Sequence, residues 1–174
     1  AIANMGIESM AHALYFPKKS SEYVDRFVFF NGDEKEKTNW KRNHKYFLQK
    51  ITLKNKDNRL LLKSPFDTGR VKEILEIYPD AKFIHIYRNP FAVYSSNEKL
   101  FEGVLPQTAF HSVGNAEMEA HLIYSYKKTY EKYFAEKLLI PQGNLFEVAY
   151  EDFIGKEVGY LEKIYKQLNL GEFD

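Results

Sequence analysis

A parallel α/β fold is what this sequence predicts, and three observations predict it. Between Leu60 and Phe101 the pattern alternates extended, helical, extended, helical. Each expected strand hands over to a cation, Lys63 after Leu60-Leu61-Leu62 and Arg88 after Phe83-Ile84-His85-Ile86-Tyr87. A further strand, Leu145 to Ala149, is separated from these by a long helical pattern and followed by another. Strands alternating with helices pair as parallel neighbours through helical crossovers.

Taken in order, residues 1–14 read as the end of a helix carrying Ile2, Met5, Ile7 and Met10, and Pro17 to Ser21 as a turn. Tyr23, Phe27 and Phe30 recur at helical spacing until Asn31-Gly32-Asp33. A solvated charge run then reaches Lys37. Thr38 or Asn39 is the expected cap of a helix whose Trp40, His44, Phe47, Leu48 and Ile51 share a face, with His44 read as packed rather than ligating. Residues 1–55 are thus mostly helical and residues 60–174 form the α/β part of a single domain.

Leu60 to Leu62 is a short apolar run, as in a strand covered on both faces. Thr68 to Tyr78 is expected to be helical, closed by Pro79, with Asp67 as an entry cap. After the Phe83–Tyr87 strand, Asn89 is a good N-cap and Pro90 suits the first helical position. The helix carries Val93, Asn97, Leu100 and Phe101 along one side. Glu102 to Gly114, containing Gly103 and Pro106, reads as a loop holding His111, a candidate catalytic histidine. Asn115 is the expected cap of a long helix with Ile123, Tyr126, Tyr130, Tyr133 and Phe134 as its buried stripe and its lysines in solvent. The last helix, Glu157 to Leu168, carries Val158, Leu161, Ile164 and Leu168.

The chain has 174 residues, 25 Lys and Arg against 24 Asp and Glu, and no cysteine. Disulfides, thiolate metal sites and cysteine nucleophiles are excluded. The balanced charge argues against a nucleic-acid coat or a polybasic membrane binder, though not against a local basic pocket. No apolar run approaches the roughly 18–20 residues that cross a bilayer, and no export signal is visible, so the cytoplasm is the expected location. Five histidines lie scattered without ligand spacing, so no metal site is expected. The 27 tyrosines and phenylalanines are read as core and helix-interface rings. The common signatures of P-loop NTPases, dinucleotide binders, zinc proteases and serine hydrolases are missing.

What remains is a cation at each of two strand tips, with a helix starting just after Arg88. Ser96 lies eight residues on from Arg88, about two turns into that helix. A forked guanidinium and a hydroxyl converging on one phosphate is sound chemistry. A surface arginine and an ordinary helix serine explain the same spacing.

The blocks Leu61-Leu62-Lys63-Ser64-Pro65 and Ile77-Tyr78-Pro79-Asp80-Ala81-Lys82-Phe83-Ile84-His85-Ile86-Tyr87-Arg88-Asn89-Pro90, with Val93 and Ser96, resemble the central block of the bacterial-type sulfotransferases. Tyr150-Glu151-Asp152-Phe153, with a closing helix that runs into Leu168-Asn169-Leu170, is similar to a second block. The resemblance covers residues 40–174. It implies a P-loop-like parallel sheet flanked by helices, and 3′-phosphoadenosine 5′-phosphosulfate as donor. Arg88 and Ser96 would hold the donor's 3′-phosphate and Lys63 would face the phosphosulfate or the acceptor. Asp67, a little beyond Pro65, is a candidate base as well as a candidate helix cap, and the resemblance itself does not name the base. The acceptor would be a small molecule, saccharide or lipid presenting a hydroxyl or amine; oligomeric state is left open. The family's first phosphate loop would precede residue 1, so the fold is expected to be incomplete at the N-terminus. A non-catalytic phosphate-binding module and a nucleotide kinase of related fold are the competing readings.

Overall fold

The computed structural model describes residues 9–56 and 58–173. Residues 1–8, where the helix carrying Ile2 and Met5 was expected, lie outside them. Two strands, β1 (Phe83–Tyr87) and β2 (Leu145–Ala149), pair in parallel with Phe83 opposite Leu145 and Tyr87 opposite Ala149. Between them the chain runs through two long helices, α5 (Pro90–Thr108) and α6 (Asn115–Glu136). Ahead of the sheet stand α1 (His12–Tyr15), α2 (Ser20–Phe27), α3 (Glu34–Lys54) and α4 (Val71–Ile77); after it come α7 (Tyr150–Phe153) and α8 (Glu157–Leu168). The protein is mixed α and β with helix dominant, compatible with a sulfotransferase α/β fold. No described helix is long and apolar enough to cross a membrane.

The core is assembled in patches. Phe146 and Val148, on the inward face of β2, pack on Ile164 and Leu168 of α8. Val71, Tyr133 and Ile140 join α4, α6 and the chain after it. Met10, Ala13, Val24, Val28 and Phe29 form the helical patch. On α8 the expected stripe is half right: Ile164 and Leu168 are buried, whereas Val158 is 64 % exposed.

Several local expectations are corrected. Leu60–Leu62 is not a strand: among the described residues no partner strand pairs with it, and Leu61 is 87 % exposed. An apolar run without a neighbour to take its backbone hydrogen bonds stays irregular. Helix α3 begins at Glu34, not at Thr38, because the Asp33 carboxylate caps it by accepting the Lys35 N–H at 2.9 Å. The charge run is therefore the first turn of a helix, and Arg26 and Lys37 ion-pair with Glu36 and Glu34 there.

Helix α5 continues through Pro106 to Thr108, where a loop was expected. Pro106 lies within the last turn, where few intrahelical bonds follow it. Gln107 Nε2 donates to Gly103 O at 2.9 Å, and Thr108 Oγ1 lies 3.1 Å from both Val104 O and Leu14 O. These side-chain bonds to backbone carbonyls support the last turn, and the Thr108 hydroxyl ties it to the segment at Leu14. Gly114, not Asn115, is the N-cap of α6, its N–H bonded to Glu117 Oε2 at 3.0 Å.

The buried stripe of α6 is partly the expected one: Tyr133 is buried and Tyr126 and Tyr130 are half-buried. His121, Leu122 and Tyr133 face inward, while Ile123 and Phe134 are more than half exposed. Its lysines are not all solvated either: Lys132 reaches the nearly buried Glu73 of α4 at 3.0 Å and also pairs with Glu136.

Candidate active site

The elements around β1 enclose a cleft of about 920 Å³. Lys63, Asp67 and Arg88 all line it. Ser96 is exposed on α5 and lies outside the lining. His111, set beyond α5, lies outside it too and accepts the Lys18 N–H on Nε2 at 3.3 Å.

The segment carrying Lys63 and Asp67 is held from behind. A 3₁₀ turn, Pro65–Gly69, brings the backbone so close to α2 that a Cβ on Gly69 would sit 3.1 Å from Val28 and Phe29 side-chain atoms. A side chain there would have to push Val28 and Phe29 back by a few tenths of an ångström. Arg70 follows, 7 % exposed, its Nη2 bonded to Phe27 O and its Nη1 3.3 Å from Asp67 Oδ1. Trp40, Phe30 and Phe66 surround the guanidinium at 4.9, 5.7 and 5.9 Å. Burial works against its charge, and Asp67 offsets that. Its Nε has no hydrogen-bond partner.

Asp67 is therefore not the helix cap expected from sequence. Its side chain is turned to Arg70, and α4 is capped from across the fold, where Glu136 Oε2 accepts the Lys72 N–H at 3.1 Å.

Arg88 follows β1 at the sheet's carboxyl edge, where ligands of open α/β sheets bind. Its guanidinium stacks over Tyr150, 4.7 Å from the ring centroid. Among the described residues neither Arg88 nor Lys63 donates a hydrogen bond to protein or joins an ion pair, in contrast to Arg70. Both cations are unspent.

The N-terminus of α5 is a different matter. Asn89 Oδ1 accepts the Phe91 and Ala92 N–H groups at 2.9 and 3.4 Å, as its sequence position predicts. Glu151 Oε1 takes the Asn89 N–H at 3.1 Å, a bond that holds its carboxyl below the usual range. Pro90 has no N–H to offer. The anion-binding capacity of this corner therefore rests on side chains rather than on the helix end.

Sequence reasoning missed three histidines that share the cleft. His44, His85 and His121 all line it. His44 is 5 % exposed, packed on Trp40 with the Tyr78 hydroxyl 3.4 Å from its Nδ1, so the expected packing role holds and cleft access is added. His85 stacks on Tyr133 at 4.3 Å. His121 lies 3.3 Å from both Ser21 Oγ and Ser125 Oγ. Burial lowers all three from the ordinary histidine value, with Asp67 opposing it at His44 and Glu147 at His85. His121 is pushed down to about 4. The alternation of β1 and the spacing 121, 125, 129 were the available signals.

The His121 shift carries a stability prediction. A histidine whose folded pKa is depressed contributes stability that is complete above its unfolded value and lost as pH falls through the folded one. The window here runs from 6.5 down to about 4. The loss is roughly 3 kcal/mol in all and about 2 by pH 5. Urea unfolding at pH 7 and pH 5 is expected to show that loss in the wild type, reduced by the same amount in His121→Gln. Equal slopes in both proteins would refute it.

The remaining lining is largely apolar, with Leu14, Phe47, Leu100, Phe101, Leu122 and Tyr126 as its larger members. Burial pushes the Tyr130 phenol, also on the lining, up to about 12, so it stays protonated near neutrality. No group of three or more potential metal-ligating side chains occurs among the described residues.

An α/β protein with two unspent cations beside one carboxylate, in a cleft whose larger lining residues are mostly apolar, belongs to the class that handles an anionic group next to an apolar one. The model of the sulfotransferase family matches residues 10–174, and the chain belongs to that family. It is 28 % identical over 169 residues to omega-hydroxy-beta-dihydromenaquinone-9 sulfotransferase Stf3 of Mycobacterium bovis (strain ATCC BAA-935 / AF2122/97) and, equally, of Mycobacterium tuberculosis (strain CDC 1551 / Oshkosh). The match takes in 97 % of this chain but 43 % of each relative, so the chain spans less than half the length of these curated relatives. No solved structure matches.

Proposed function

We propose that the protein is a sulfotransferase that moves a sulfuryl group from 3′-phosphoadenosine 5′-phosphosulfate to a hydroxyl on an apolar carrier. The observation that carries this reading is the pair of unspent cations, Lys63 and Arg88, on one cleft of a chain whose family is known. Residues 1–174 are read as one partial sulfotransferase-like domain with a P-loop-like sheet.

Arg88, pre-stacked on Tyr150, presents its fork to the donor's 3′-phosphate, with Ser96, exposed on the following helix and outside the cleft lining, as second donor to that group from the outer side. Lys63 neutralises charge at the phosphosulfate end, where charge grows on the leaving phosphate during transfer. The donor supplies the sulfuryl group and the leaving phosphate. Asp67, held by Arg70, takes the acceptor's proton as the new O–S bond forms and the S–O bond to phosphate breaks. The three neutral histidines add no charge that would compete for the donor. The apolar part of the lining suits a lipid-like alcohol better than a saccharide, and the mycobacterial relatives are named for an omega-hydroxy-beta-dihydromenaquinone-9.

The test uses the intact protein, with labelled phosphosulfate donor and farnesol as a probe acceptor, alongside calorimetry with 3′,5′-adenosine diphosphate. Nucleotide binding together with label on farnesol is the expected result. Binding without transfer to farnesol or to a phenolic probe would favour a non-catalytic module, and no binding would remove the donor site.

A further inference from the structure

The chain's overall charge of +1 conceals a strong local asymmetry. The stretch from Lys41 to Arg59 carries seven lysines and arginines and one acid, Asp57. It therefore holds +6 while the rest of the chain holds −5. Helix α3 turns its inner face, with Trp40, His44 and Leu48, to the core. Arg42, Lys45, Tyr46, Gln49 and Leu53, at i, i+3, i+4, i+7 and i+11, are all exposed on the opposite face. This outer face is not purely polar. Tyr46 is 49 % and Leu53 77 % exposed, beside a shallow groove of about 620 Å³ that reaches Tyr78. Lys50 folds its ammonium over the Tyr46 ring at 4.3 Å. Among the described residues Arg42, Lys45, Lys50 and Lys54 join no ion pair.

We infer that the outer face of α3 is a docking surface for an anionic lipid membrane. A basic helix face interrupted by protruding apolar side chains is the pattern of an interfacial helix: the cations meet the headgroups, and Leu53 and Tyr46 enter the boundary above the acyl chains. A nucleic acid would use the lysines, but has no place for a leucine as exposed as Leu53. The surface also connects to the cleft. Leu48 lines both the α3 groove and the cleft, and the basic stretch leads directly into Leu61, 87 % exposed, and the cleft residue Leu62. A protein seated on α3 would receive an apolar alcohol from the bilayer. That delivery role rests on the transferase reading, while the docking itself does not.

The test is sedimentation of the intact protein with vesicles of phosphatidylcholine alone or mixed with phosphatidylglycerol, at low and physiological salt. Salt-sensitive binding to the anionic vesicles and little to the neutral ones is expected. The triple variant Lys45→Gln, Lys50→Gln, Lys54→Gln should weaken it on the order of a hundredfold, each lysine contributing roughly fivefold. Leu53→Ser, a single exposed change, should weaken it about tenfold. Equal binding to both vesicle types, undiminished binding by the triple variant, or tight binding to a DNA duplex without vesicle binding would each overturn the inference. Calorimetry with 3′,5′-adenosine diphosphate on the same variants keeps the two proposals apart: nucleotide affinity should not change, and its failure in the wild type would count against the donor site alone.

Discussion

Arg88→Ala is expected to lower the affinity of the intact protein for 3′,5′-adenosine diphosphate about a hundredfold. The guanidinium is exposed at a strand tip, joins no ion pair among the described residues and is braced by the Tyr150 ring, with the Glu151 carboxylate nearby. Its bonds to a phosphate are charge-assisted, each contributing on the order of 1.5–3 kcal/mol. Losing one or both corresponds to a factor of ten to well over a hundred. Arg88→Lys keeps the charge and loses the fork, so an intermediate loss is expected. Because Arg88 holds no internal partner, none of these changes should move the unfolding midpoint by much. Calorimetry with the nucleotide decides the matter, and an affinity for Arg88→Ala within twofold of wild type would remove this residue from the donor site.

Lys132→Met is expected to cost about 3–5 kcal/mol of stability, read from urea unfolding. The Glu73 side chain is only 5 % exposed, and Lys132 at 3.0 Å is the cation that lies against it. Removing the lysine leaves a buried carboxylate in the interface of α4 and α6 without its contacting cation, Arg70 and Lys37 acting on it only from farther off. The reverse change is gentler. In Glu73→Gln the lysine still pairs with Glu136 and is 17 % exposed, so a loss of about 1 kcal/mol is expected. The double variant should recover much of what Lys132→Met loses, because no buried charge is then stranded. Equal losses from the two single variants would mean that burial of Glu73 is not what makes this pair matter. The consequence reaches the cleft, since α4 begins one residue after Arg70 and is capped by Glu136 of α6.

These two arginines separate what is local from what is not. Both stand in the sequence as cations beside a turn, and nothing in their neighbours says which is committed. Arg70 is spent because α2 supplies the Phe27 carbonyl and α3 supplies Trp40, each at least 30 positions away in the chain. Arg88 is unspent because the group against it, Tyr150, is a ring, and the nearby Glu151 carboxylate is turned to the Asn89 N–H and acts on Arg88 only through its charge. The same division explains the expectations that failed. Leu60–Leu62 has a strand's composition, but a strand also needs a neighbour. Lys132 has the periodic place of a surface lysine, but α4 delivers Glu73 to it.

The two strands Phe83–Tyr87 and Leu145–Ala149, the Asn89-Pro90 start of α5, the closing helix Glu157–Leu168, and the resemblance that Lys63, Arg88 and Ser96 carry are all legible in the chain before it folds. Each is a local matter, of β-branched alternation, a capping side chain or helical spacing within a few residues. That Lys63, Asp67 and Arg88 share a cleft while Ser96 stands outside its lining, that three histidines with lowered pKa join them, and that the basic face of α3 turns outward with Leu53 emerges only on folding. Burial and ion pairing depend on what distant segments bring into contact, and a chain read in order does not display that.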